Sequence, residues 1–313
     1  LKALGGGDEN LYTIQLVEDR GVNPATLGAI QQAKIGTYIR EWRFIGYVNV
    51  VVGLSPEGVK TISARPDVVS IHPYRIPVKM DERQNIIMTG QVPLPASNPN
   101  YLSWLTGKGF TQGQFDASGF AVDVTDSGID NATTSPNHFG LRVAGDPAGV
   151  SRVIYNRLEG TPNTGSTLQG CDGHGTLNSH IVGGYVPDGG IFTAFPYMDA
   201  AGYRYGVGVA PFVRIGSSVI FDSSDFTDPD YADLQSKAYN DGARISTNSW
   251  GSNAGGAYIS DSQAYDYLVR DAQPAGSAFP VAGNQEMVIV FSAGNSGSGA
   301  NTIGAPATGK NLL

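Results

Sequence analysis

The sequence predicts an α/β protein built on a parallel sheet, with a small α+β domain in front of it. Three observations carry that prediction. Residues 287–292 (MVIVFS) form a near-continuous apolar run of strand length, the pattern of a strand covered on both faces. Further strand-like runs at 120–125 (FAVDVT) and 213–219 share the second part of the chain with a helical stretch at 234–240. The first 70 residues alternate strand and helix signals on a shorter period.

The elements follow in order. Residues 11–17 (LYTIQLV) are β-rich and read as a first strand. Asn23, Pro24 and Ala25 open a helix that continues through Ala29, Ile30 and Ala33. Residues 47–54 (YVNVVVGL) make a Val-rich strand. Ser55 then reads as an N-cap with Pro56 at the first helical position, and the helix runs past Val59, Ile62 and Ser63 to about Arg65. Residues 68–71 (VVSI) are the last strand, which gives β-α-β-α-β and a small split βαβ sheet. Residues 80–109, with Pro93, Pro95 and Pro99 and few apolar runs, read as an exposed linker with a short helix at 101–105. Beyond it come a strand ending at Asp126, the strand at 213–219, the helix at 234–240, and strands at 244–248 and 287–292.

Composition narrows the function classes. A length of 313 residues suggests two domains, and 41% hydrophobic with 15% charged residues describes a chain with a core, not a disordered one. No stretch approaches the ~18 apolar residues of a membrane span, so no membrane partner is expected. The single cysteine, Cys171, cannot form an internal disulfide. A net charge of −8 argues against nucleic acid, whose phosphates need a basic face. The charge is uneven: residues 1–80 carry nine basic and seven acidic side chains, while 81–313 carry eleven and twenty-one. Opposite signs favour docking of one segment on the other, although chance composition accounts for the split equally well. The chain opens on Leu1 with no basic-then-apolar leader, so upstream processing is expected.

Three positions carry chemistry. Asp126 stands where a buried strand stops, the edge at which open α/β sheets bind ligands; Asp123 and Asp130 compete for the role, and an Asp before Gly128 is also a common turn former. His174, in CDGHGTLNSHIVGG, lies at a helix start between Gly173 and Gly175, open to solvent or substrate, or simply a capping residue. His72, His138 and His180 lack such a setting, and no HExxH zinc motif occurs. Asn295, in VIVFSAGNSGSG, follows a hydrophobic strand, where its amide can donate to a developing oxyanion or merely form a turn.

Together and in this order, DSG, GHGT and AGN resemble the subtilisin-like serine peptidases. Further likeness lies in GVGVAP at 206–211, NSWG at 248–251 and TIGAPATGKNLL at 302–313. Residues 10–80, through YTIQL, IREWRFIGYVNVVVGLS and VKTISARPDVVSIHPY, resemble the family's propeptide. The resemblance implies a ferredoxin-like propeptide domain at 1–80, a linker at 81–109 and the N-terminal part of a parallel-sheet peptidase domain at 110–313. It implies Asp126 and His174 as triad members and Asn295 as oxyanion donor. It places Ser249, Trp250 and Gly251 on the substrate strand, and Ser292, Ala293 and Gly294 beside the first specificity pocket. Protein or peptide substrate and the chain's own propeptide are the implied partners. No cofactor is needed for the chemistry, and a secreted, extracellular location is expected.

One family feature has no match. The nucleophile belongs in a GTSxxxP segment after the AGN region, and residues 1–313 contain none. Ser296 and Ser298 sit in the glycine-rich loop, and Ser127 adjoins Asp126; none has a nucleophile-presenting helix start. The expectation is a zymogen-like, nicked or truncated chain whose C-terminal remainder carries the Ser, with propeptide cleavage at 80–100 and a tail near 77–80 feeding the cleft. The rival is a non-catalytic pseudopeptidase that binds protein. A sister family with Glu in place of His is opposed by GHGT, and a metal hydrolase using Asp126, Asp172 and His174 lacks ligand spacing. Structural calcium is a family expectation. Asp222, Asp225, Asp228, Asp230 and Asp233 crowd one loop, but without EF-hand spacing, and a solvated acidic loop explains them as well. Cys171 either senses oxidants or packs near the site.

Overall fold

A computed structural model of the chain describes residues 10–44, 46–74, 83–91, 100–162, 168, 172–222 and 225–313. The chain divides into two compact units, Leu1–Lys79 and Met80–Leu313.

The first unit runs β1 (Leu11–Val17), α1 (Asn23–Ala33), β2 (Lys34–Phe44), β3 (Tyr47–Leu54), α2 (Pro56–Ser63), β4 (Val68–Pro73). Its sheet is antiparallel, in the order β2-β3-β1-β4, and the β-α-β-β-α-β succession is ferredoxin-like. Alternation on β3 turns Val48, Val50, Val52 and Leu54 to one face, where Ile30 of α1 and Ile62 of α2 pack on them. Ser55 caps α2, its Oγ accepting from the Gly58 N–H at 3.0 Å. The sequence reading lacks β2. This strand lies at an edge, exposes Glu41 and Arg43, and shifts register between Ile35 and Arg40, so no clean apolar alternation marks it.

The second unit opens with α3 (Arg83–Met88), α4 (Tyr101–Gly107) and α5 (Gln112–Ser118). The exposed linker expected at 81–109 is corrected here for the described residues: Ile86, Tyr101, Leu102 and Leu105 are buried in a cluster with Val186, Tyr203, Val207 and Phe212. The short apolar runs were too brief to outweigh the proline signal. Residues 75–82 and 92–99, which include the expected tail and much of the expected cleavage region, lie outside the described residues.

Then come β5 (Ala121–Asp126), β6 (Val153–Leu158), α6 (His174–Gly183), β7 (Arg214–Val219), β8 (Phe221–Asp222), β9 (Asp225–Phe226), α7 (Tyr231–Asn240), β10 (Ala243–Asn248), α8 (Ser260–Leu268) and β11 (Val288–Phe291). Five strands form a wholly parallel sheet in the order β11-β10-β5-β7-β6, as the apolar runs predict, but the cover on both faces expected for 287–292 does not hold: β11 is an edge strand, and Val288 is exposed. All six residues of the central strand β5 are buried. Val122 and Val124 pack with Val153, Val213, Ile215 and Val182 of α6. On the other face, Ile289 and Phe291 pack with Ala238 of α7 and Tyr265 of α8. The strand β6 and the helix α8 were not anticipated; β6 (VIYNRL) is an edge strand with Asn156 and Arg157 in its second half.

Arg152 locks this arrangement from inside. It is 1% exposed and donates to the carbonyls of Gly140 (2.6 Å), Gly183 (2.5 Å) and Val213 (2.9 Å). Burial pulls its pKa down to about 10, so it stays cationic at neutral pH. Arg152→Met removes these donors: the Gly140 carbonyl keeps the Tyr185 N–H at 2.9 Å, while those of Gly183 and Val213 lose the guanidinium inside the protein. It is expected to destabilise the protein by about 3 kcal/mol or more, read as a lower urea midpoint.

Candidate active site

The site is assembled where β5 ends against the start of α6. Gly128, at φ 97°, turns the chain away from Asp126, and Gly173, at φ 77°, leads into His174; both lie in the left-handed region that favours glycine. Gly175 makes the approach feasible: a Cβ there would sit 2.3 Å from the Gly128 carbonyl oxygen.

This contact brings His174 Nδ1 to 2.8 Å from Asp126 Oδ1 and 2.9 Å from Oδ2. The carboxylate fixes the tautomer: Nδ1 carries the proton and donates, leaving the Nε2 lone pair free to act as a base. Asp126 is 2% exposed, whereas the His174 side chain is 50% exposed, so one edge of the imidazole is held in protein and the other is open.

Further groups complete the setting. Asp126 Oδ1 accepts from the Ser127 N–H at 2.7 Å, and Oδ2 accepts from Asn178 Nδ2 at 2.9 Å. Asp172 Oδ1 accepts from the His174 N–H at 2.9 Å and from Ser127 Oγ at 2.7 Å. Ser127 Oγ in turn accepts from the Gly175 N–H at 3.1 Å. The His174 N–H, with the Ser127 hydroxyl, holds the Asp172 carboxyl below its ordinary range against a smaller opposing effect of burial.

The competing carboxylates fall elsewhere. Asp123 lies three residues before Asp126, and strand alternation sends it to the opposite face. There it accepts from Thr125 Oγ1 (2.6 Å), Ser218 Oγ (2.7 Å) and the Tyr155 hydroxyl (2.8 Å), and burial pushes its pKa up. Asp130 Oδ2 accepts from the His138 N–H at 2.9 Å. The rings of His138 and His180 pack 4.6 Å apart, and burial pulls His180 down to about 4. His72 lies on β4 of the first unit.

Register places the other predicted residues on the same sheet edge. Asn248 at the end of β10 pairs with Thr125 of β5 and with Phe291 of β11. Just beyond these ends, Ser249, Trp250, Gly251, Ser292, Gly294 and Asn295 line a cleft of about 360 Å³. Ala293 is exposed and is not among the lining residues. The Trp250 ring is largely engaged on the protein side, packed against Phe226, Tyr231, Tyr265 and Phe291, with Nε1 donating to Asn248 Oδ1 at 3.1 Å. Among the described residues no serine hydroxyl is hydrogen-bonded to His174.

Asp230 Oδ1 caps α7, accepting from the N–H groups of Ala232 and Asp233, and among the described residues no group of three His, Cys, Asp or Glu could hold a metal ion. Cys171 lies outside the described residues. The sequence reading missed Asn178, and weighed Ser127 only as a stand-in nucleophile and Asp172 only as a metal ligand, not as the pair that anchors the start of α6. Asn178 stands four residues after His174, a spacing that puts both on one helix face.

Residues 117–313 match the family model described as the subtilase family. No curated protein matches the chain. Among the described residues no helix is long and apolar enough to cross a membrane.

Two outcomes test this geometry. Gly175→Ala must push α6 off the Gly128 turn, and is expected to weaken the Asp126–His174 contact, seen as loss of the low-field Nδ1 proton resonance of His174. Because the Asp172 pKa is lowered on folding, its contribution to stability is present above the ordinary aspartate range and fades as pH falls through the lowered value. Asp172→Asn removes that titration, so the stability gap between wild type and variant should narrow on acidification, measured by thermal midpoints from pH 6 to pH 3.

Proposed function

Because the chain belongs to the subtilase family, a family of serine peptidases, we propose that it is an endopeptidase chain contributing the acid–base half of a Ser-His-Asp triad. The observation that carries this reading is the two-oxygen clasp of Asp126 on His174 Nδ1 at a strand end. His174 Nε2 takes the proton of a serine hydroxyl as that oxygen attacks the peptide carbonyl, then gives it to the leaving amine. Asp126 holds the tautomer and stabilises the imidazolium. Asn295 donates its amide to the oxyanion, the backbone of Ser249–Gly251 pairs with an extended peptide, and Gly294, which lines the cleft, leaves room for the first specificity side chain.

The nucleophile in this reading comes from a segment outside residues 1–313. The first unit acts as a propeptide, a role supported by its independent core and by a net charge opposite in sign to that of the rest. Processing between 80 and 100 would separate the two, and the natural setting is extracellular.

A fluorophosphonate probe with intact-mass analysis of the full natural protein tests the reading. A labelled serine-bearing species is expected, whether one long chain or a companion polypeptide; no labelled species would overturn the reading in favour of a binding module. His174→Ala should abolish labelling and reduce turnover by on the order of 10⁶, the effect known in a subtilisin and not a quantity derived from this geometry.

A further inference from the structure

We infer that Asn178 is a positioning residue for the Asp126–His174 pair, and that it lowers the basicity of His174; this rests on the peptidase reading above. Asn178 lies on α6 one turn after His174, and its Nδ2 stands 2.9 Å from Asp126 Oδ2 and 3.2 Å from His174 Nδ1. The amide orientation follows from its neighbour: an amide oxygen facing the carboxylate would set acceptor against acceptor. Asp126 is buried, so water cannot stand in for this donor.

Two effects act in the same direction. The Asn178 N–H draws electron density from Asp126, so the carboxylate stabilises an imidazolium less. The same N–H lies beside the Nδ1 proton, and both point at one carboxylate. This contact becomes less favourable when the ring gains positive charge. The Asn178 amide also holds Oδ2 in place, keeping both carboxylate oxygens within reach of Nδ1. The titratable groups facing His174 are Asp126 from β5 and Asp172 from the loop before α6. His180, further along α6, faces His138 instead.

The test compares wild type, Asn178→Leu and Asn178→Asp in the full natural protein, normalised by active-site titration. Asn178→Leu keeps similar volume without the donor. It is expected to raise the acid-limb pKa of the kcat/KM profile by about half a unit, the size of one modest hydrogen bond, and to lower kcat about tenfold with KM little changed. Asn178→Asp, which adds a second anion near the ring, should raise the limb further. A purely structural residue would lower the titre and leave the limb in place; an unmoved limb in both variants overturns the inference. The NMR titration of the His174 ring reads the same shift without turnover. If the wild type hydrolyses nothing, the peptidase reading fails, while the NMR shift still decides the role of Asn178.

Discussion

A carboxylate buried at the end of a parallel strand must be met by donors, because water cannot reach it. For Asp126 the donors are the Ser127 N–H, His174 Nδ1 and Asn178 Nδ2. One comes from the strand end and two from a single face of α6. The helix must therefore begin at His174 and lie close against the turn after β5. The absence of a side chain at Gly175 permits that approach, and Asp172 and Ser127 fasten the helix start to the turn. The same burial that demands donors makes the pair rigid, with one ring nitrogen engaged and the other open.

The sheet underneath supplies the fixed reference. Its central strand is buried on both faces, and its polar content is sorted by alternation. Asp126 meets α6, whereas Asp123 meets hydroxyls of β5, β6 and β7 on the opposite face. Arg152 joins the far end of α6, through the Gly183 carbonyl, to the residue before β7, through that of Val213. The helix is thus tied at both ends, so the imidazole is positioned by the whole layer and not by its hydrogen bond alone.

Elements with a clear apolar signature were legible from sequence: the central strands of the larger sheet, the Val-rich strand β3 and the Ser-Pro start of α2. The apolar edge strands β4 and β11 were legible too, but the edge strands β2 and β6 were not. Residues of β2 and β6 face solvent on part of their surface and carry charged or amide side chains, which erases the period-2 signal. The helix around Ile86, and the burial of the expected helix at 101–105, were hidden for a related reason. Each helix buries only a few apolar residues, beside prolines that mark a loop.

What the sequence determined by itself was the set of chemical groups and their order along the chain: a strand-end Asp126, a glycine-flanked His174 and an Asn295 beyond a buried strand. Those local patterns follow from where strands stop and helices start. What only the tertiary structure decided was which groups meet. Asp123 and Asp130 competed with Asp126 as letters; Asp123 separated because alternate residues of β5 face opposite sides of a packed sheet, and Asp130 because it lies past the strand end, where it accepts from the His138 N–H. Asn178 had no signal of its own until α6 docked on β5. Contacts between residues about fifty positions apart depend on that docking, and no local pattern encodes the distance.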